Sequence, residues 1–96
     1  MELLVSYDVN TETREGERRL RRVAKVCEGF GQRVQKSVFE CVLNDAGLEK
    51  MTAALMEVID LDEDSVRIYQ LREPRNAHLW VLGRPLEHDV HGPLII

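Results

Sequence analysis

The sequence predicts an α+β domain whose elements follow the order β-α-β-β-α-β. Three observations lead there: an opening run of alternating apolar and polar residues, two apolar stripes at helical spacing, and paired strand-forming segments between them. At 96 residues, with 44% apolar and 31% charged, the chain suits one domain with one modest core.

Leu3, Val5, Tyr7 and Val9 alternate with Leu4, Ser6 and Asp8, a period of two that predicts the first strand. Asn10 to Thr13 is polar and has no apolar anchor, which predicts a loop. From about Glu15 to Glu28, Leu20, Val23, Ala24 and Cys27 recur at i, i+3, i+4 and i+7, one face of a helix. Arg18, Arg21, Arg22 and Lys25 keep the same spacing roughly 160° around it, so the helix should bury aliphatics and show cations to solvent. Gly29 or Gly31 supplies the stop, through the left-handed conformation that glycine tolerates.

Gln32 to Leu43 reads as two strands with a corner near Gln35 to Ser37, carried by Val34, Val38, Phe39, Val42 and Leu43. Asn44-Asp45 is an N-cap signal, and Leu48, Met51, Leu55, Val58 and Ile59 form the second helical stripe. The acidic run Asp60 to Asp64 is a loop, and Ser65 to Leu71 a fourth strand with Val66 and Ile68 alternating against Arg67 and Tyr69.

This is the split β-α-β order of a ferredoxin-like domain over residues 1–71, with both helices on one face of an antiparallel sheet and the other face open. Residues 72–96 form a C-terminal extension. In it, Leu79-Trp80-Val81-Leu82 predicts a short fifth strand at about 79–83, bounded by Gly83 and Pro85. A strand after a complete fold needs an edge, and a second copy supplies one; a homodimer tied by this segment, Trp80 included, is the expectation. No run approaches the ~20 apolar residues of a membrane span, and the first residues lack a signal-peptide layout. Cys27 and Cys41 form no Cys-x-x-Cys pair, so buried free thiols in a cytoplasmic protein are expected. His88-x-x-His91 with Asp89 reads as a surface tail for want of further ligands.

The net charge of −4 argues against nucleic acid until it is resolved along the chain. Residues 14–36 carry eight Lys/Arg against three Asp/Glu, a net +5, leaving −9 elsewhere. Arginine forks match phosphate oxygens, and four or five contacts would give appreciable salt-dependent binding. Glu15 and Glu17 could instead pair with Arg18, Arg19 and Arg21 at helical spacing.

Asp8 ends the first strand out of phase with Leu3, Val5 and Tyr7. If those three face the helices, Ser6 and Asp8 face the open side. Two open faces opposed across a two-fold axis would bring two Asp8 carboxylates together, which repel unless a proton or a hard cation such as Mg²⁺ or Mn²⁺ lies between them. The simpler reading of Asp8 taken alone is that it begins a turn with Asn10.

At these residues the chain resembles the family of CRISPR-associated protein 2. The resemblance rests on Leu4-Val5-Ser6-Tyr7-Asp8-Val9, on Gly31 through Glu40 (Gly-Gln-Arg-Val-Gln-Lys-Ser-Val-Phe-Glu), on Asp64-Ser65-Val66-Arg67-Ile68-Tyr69, and on the arginine-rich Gly16 to Val23 segment. It implies a ferredoxin-like homodimer with opposed sheet faces and crossing tails, and one divalent metal, Mg²⁺ or Mn²⁺, shared by the two Asp8, with Tyr7 beside it as a catalytic residue. It implies a metal-dependent endonuclease acting on RNA or double-stranded DNA. It also implies a scaffold that bridges the integrase, CRISPR-associated protein 1, and holds DNA during spacer acquisition. Arg14, Arg18, Arg19, Arg22 and Arg33 become the nucleic-acid contacts, and Phe39 an interface residue. One carboxylate per subunit with no nearby general base is a thin catalytic apparatus, which ranks the scaffold role first. The alternatives are a toxin-like ribonuclease dimer of the same architecture and a small-molecule-binding regulatory domain, the latter having no use for the helix cations.

Overall fold

The opening alternation builds β1, Glu2–Asp8, in a computed structural model that describes residues 1–84. It is followed by α1 (Arg14–Phe30), β2 (Gly31–Gln35), β3 (Val38–Val42), α2 (Asp45–Val58) and β4 (Ser65–Leu71). The sheet order is β2-β3-β1-β4 and every pairing is antiparallel, so the expected ferredoxin-like topology is the observed one. β1 is central, paired to β3 through Val5↔Phe39 and to β4 through Val5↔Ile68.

Residues opposed across these ladders share a face. Leu3, Val5, Tyr7, Phe39 and Cys41 therefore lie together, and they form one core with Val23 and Cys27 of α1 and Met51 and Leu55 of α2. Both helices thus cover the same face. Each side chain buried there contributes about 1.5–3 kcal/mol by its removal from water. The other face carries Glu2, Leu4, Ser6 and Asp8 of β1, Val38, Glu40 and Val42 of β3, and Ser65, Arg67, Tyr69 and Leu71 of β4.

Thr13 caps α1, its hydroxyl accepting from the Gly16 N–H at 3.1 Å, and Asn44 caps α2, accepting from the Gly47 N–H at 2.8 Å. Only the second cap stands out in the sequence, because Asn44 directly precedes an apolar stripe. The end of α1 falls at one of the two glycines expected, Gly31, but not through the left-handed conformation. The helix runs through Gly29 and stops at Gly31, whose φ of −163° is extended backbone and not a left-handed cap. Gly31 is needed for closeness instead: as the first residue of β2 it lies against the Cys41 Sγ and the Glu40 carbonyl, where a Cβ has no room.

After β4 the chain makes a 3-10 turn at Arg75–His78, and among the described residues only Val81 holds a β-bridge where a strand over 79–83 was anticipated. The turn folds back over one end of the open face. Arg75, 4% exposed, lies against Glu40 at 3.2 Å, and its backbone N–H donates to the buried Glu2 carboxylate. This return fixes the direction of the chain before Trp80 and Leu82, which stand 70% and 80% exposed. His88, Asp89 and His91 lie outside the described residues.

The two glycines near the end of α1 should respond oppositely to a methyl group. Gly31→Ala should cost about 1–3 kcal/mol in a urea-unfolding midpoint, the cost of overpacking. Gly29→Ala, which meets nothing within 4 Å, should be neutral or stabilise by up to about 1 kcal/mol through helix propensity.

Candidate nucleic-acid interface

Helical spacing places Arg14, Arg18, Arg22 and, one position aside, Arg21 and Lys25 along the outer side of α1, opposite Val23 and Cys27. All five are exposed. None makes an ion pair among the described residues, and the pairs that Glu15 and Glu17 offered do not form. The stripe is a row of free guanidinium and ammonium groups.

Arg19 differs. Its Nε and Nη2 reach the two Asp64 oxygens at 2.8 and 3.3 Å, a bidentate pair, and Nη2 also donates to the Asn10 carbonyl at 3.5 Å. The Asn10 and Asp60 N–H groups donate to the same carboxylate at 3.2 and 2.9 Å. Burial alone would raise the Asp64 pKa, but these bonds, Arg19's first, outweigh it and hold the carboxyl below its ordinary value. Arg19 therefore joins α1 to the loops after β1 and before β4, and its fork is occupied inside the protein rather than offered to phosphate.

Arg33 lies at the β2 edge, its guanidinium 5.2 Å from the Phe39 ring centroid and 3.7 Å from the exposed Glu28. Phe39, expected at an interface, is fully buried in the core of its own protomer. Tyr7 stacks on Phe39 with centroids 6.1 Å apart, and its hydroxyl donates to the Lys36 carbonyl at 3.3 Å. Burial raises the Tyr7 pKa, and the neighbouring Arg33 opposes this only in part.

Asp8, exposed at the end of β1, leaves the strand on the opposite side from Tyr7. Adjacent in sequence, the two side chains are separated by the sheet, so Tyr7 cannot share a reacting atom with Asp8 in this protomer. The α1 stripe is likewise on the far side of the sheet from Asp8. What does accompany Asp8 is Ser65, directly opposite on β4, and Arg67, opposite Ser6. Period-two alternation of β4 already put Arg67 outward; its neighbourhood with Asp8 follows only from register. Arg75 gave no sequence signal, since a buried arginine after a proline-bounded linker resembles any linker charge.

Nothing else on the described residues offers a strong nucleophile or a metal cage. Burial pushes the Cys27 thiol up to about 12 and raises Cys41, so neither is a thiolate near neutrality. Among the described residues no group of three or more His, Cys, Asp or Glu could hold a metal ion, and no helix is long and apolar enough to cross a membrane.

A family model described as CRISPR associated protein Cas2 matches residues 1–78. The chain belongs to this family. A CRISPR-associated endoribonuclease Cas2 1 of Moorella thermoacetica is 50% identical over 96 residues and covers all of both chains. A CRISPR-associated endonuclease Cas2 of Halalkalibacterium halodurans is 41% identical over 95 residues, 99% of each. The crystal structure of Streptococcus pyogenes Cas2 superposes with a TM-score of 0.79 at 47% identity, covering 86% of this chain and all of that one. The family's two-helix, four-stranded fold is thus the one built here, and Asp8, Arg18, Arg22 and Arg33 occupy it as described.

Asp64 gives a test with a definite sign. Its lowered pKa means that its stabilisation is complete above the ordinary carboxyl range and is lost as pH falls through the folded-state value. Asp64→Asn should lower the thermal midpoint at pH 7, and the gap from wild type should close as pH drops below about 4.

Proposed function

We propose that this chain acts in CRISPR spacer acquisition as a two-fold dimer that grips nucleic-acid backbones and bridges the integrase, CRISPR-associated protein 1, in the cytoplasm. The observation that carries this is the unpaired row Arg14, Arg18, Arg21, Arg22 and Lys25, exposed along one helix of an otherwise acidic chain. A row of cations follows a polyanion without reading bases, so binding is to duplex phosphates, independent of sequence and steeply salt-dependent. Dimerisation presents the row twice, and the exposed Trp80 and Leu82 are the apolar groups that a second copy would cover.

A second reading is favoured by the relatives named as endonuclease and endoribonuclease and by the exposure of Asp8: hydrolysis of RNA or double-stranded DNA. One protomer offers a single carboxylate, which with the flanking serines is too few hard donors for a resident Mg²⁺ or Mn²⁺. Two Asp8 in a dimer would supply the minimum, and a cation held there would polarise a phosphodiester. Asp8 is exposed on the open face of the protomer, a place that suits either a metal or a water. The scaffold reading ranks first because no general base stands beside Asp8 within the protomer.

Charge reversal of Arg18 and Arg22 to Glu, leaving Arg19 intact, should abolish duplex retention in a gel-shift assay at 0.1 M salt while the thermal midpoint stays within a few degrees. Unchanged retention refutes the phosphate-gripping role. Asp8→Ala should leave binding and stability within ~0.5 kcal/mol of wild type, as expected for an exposed side chain, and remove Mg²⁺-dependent cleavage. Cleavage of undiminished rate would sink the nuclease reading without touching the scaffold one.

A further inference from the structure

The hairpin between β2 and β3 turns without the residues that usually make such a turn. Gln35 pairs with Val38, so Lys36 and Ser37 form the whole loop. Two-residue loops favour turns with positive φ, filled by glycine or asparagine, because these match the twist of the flanking strands. Here neither position is glycine, and no non-glycine residue among the described residues has a positive φ. The register shift between Arg33 and Gln35 takes up part of the mismatch. A further hold comes from outside the hairpin, from Tyr7. Its backbone N–H donates to the Ser37 carbonyl at 3.1 Å, and its hydroxyl donates to the Lys36 carbonyl at 3.3 Å.

That hydroxyl is not needed for packing. Tyr7 is 4% exposed and its ring stacks on Phe39, a task that phenylalanine performs without burying a polar group. A buried hydroxyl is costly unless it is bonded, and this one gives its hydrogen to the corner. Arg33 neighbours the same hydroxyl and lies over the Phe39 ring. One aromatic pair thus touches both the corner and the cation that precedes it.

The corner belongs to the side of the sheet on which α1 packs, against β2 and β3. β2 runs parallel to β1 and α1 returns against it, so Arg33 lies toward the Lys25 end of the helix row and Lys36 toward the Arg14 end. Lys36 is exposed and forms no ion pair among the described residues. Arg33 has the exposed Glu28 at 3.7 Å, a pair that solvent screens and a phosphate can replace. Neither cation is on the open face. Arg33 shares the side of Phe39, and Lys36 lies in the loop beyond the strands, so packing two open faces together calls on neither.

We infer that Tyr7 is a positioning residue whose hydroxyl sets the β2–β3 corner so that Lys36, with Arg33, grips phosphates beside the α1 row. This rests on the reading that the chain binds nucleic-acid backbone, and it extends the contact surface from the helix onto the sheet edge. Tyr7 serves the cationic side of the molecule and not Asp8.

The test measures duplex-DNA affinity in EDTA against salt concentration, with the dimer fraction followed by sedimentation. The variants are Lys36→Gln, Arg33→Gln/Lys36→Gln, Tyr7→Phe, Tyr7→Phe added to that pair, and Arg18→Glu/Arg22→Glu. Lys36→Gln should weaken binding about fivefold and lower the log–log salt slope by about one for each corner in contact, at an unchanged dimer fraction. Arg33→Gln/Lys36→Gln should lower the slope by about two for each corner. Tyr7→Phe, which keeps the ring on Phe39, should weaken binding about threefold by itself and add nothing in the Arg33→Gln/Lys36→Gln background, because it acts through those side chains. An equal loss in both backgrounds makes the hydroxyl merely structural and overturns the inference, as does wild-type binding by Tyr7→Phe. Wild-type affinity and slope in Arg33→Gln/Lys36→Gln, with binding lost in Arg18→Glu/Arg22→Glu, overturn it while the nucleic-acid reading stands. A wild type that does not bind the duplex overturns that reading and the corner with it.

Discussion

The period of two along β1 is the constraint on which the molecule depends. β1 is the central strand, hydrogen-bonded on both sides, and its residues alternate between the helix-covered face and the open one. Leu3, Val5 and Tyr7 anchor the core, while Leu4, Ser6 and Asp8 face away. A register slip of one residue would bury Asp8 among aliphatics and expose the core, so packing energy and site placement are set by the same alternation. This also explains why Tyr7 and Asp8, one peptide bond apart, do different jobs. Tyr7 packs on Phe39 and ties its hydroxyl to the β2–β3 turn; Asp8 remains available.

The arginines of α1 divide in the same way. Arg18 and Arg22 point outward with no partner among the described residues, while Arg19, a neighbour of one of them in sequence, is clamped to Asp64 and Asn10. The clamp ties the body of α1 to the end of β1 and the entry to β4, which the β1–β4 ladder brings side by side at Asp8↔Ser65. One helix thereby carries a structural arginine on its flank and a solvent-facing cationic row behind its buried stripe. Substituting the arginines as one block would conflate the two effects, since loss of Arg19 perturbs the loops that position β4.

The open face is similarly partitioned. Arg75 draws the extension back over Glu2 and Glu40, and among the described residues of the protomer the half bearing Asp8, Arg67 and Tyr69 is exposed. Burying an arginine is tolerable only because carboxylates meet it there. The consequence is directional: the chain leaves the sheet at a defined place, with Trp80 and Leu82 exposed beyond it.

Local periodicity by itself determined the order of elements, both helical stripes, the β2–β3 corner, the span of β4 and the concentration of positive charge in residues 14–36. These are properties of backbone geometry over a few residues, so a one-dimensional pattern contains them. The outward sense of Asp8 and Arg67 was also implicit in alternation. Tertiary structure decided what required distant groups to meet. Arg19 and Asp64, 45 residues apart, pair only because two loops converge, and no spacing rule distinguishes Arg19 from Arg18 or Arg22. The burial of Phe39, the close approach that demands Gly31, and the return of Arg75 onto Glu40 depend likewise on which strands become neighbours. The −4 net charge holds both kinds of information: its uneven distribution is written in the chain, but which cations remain free is settled only when the fold brings their competitors near.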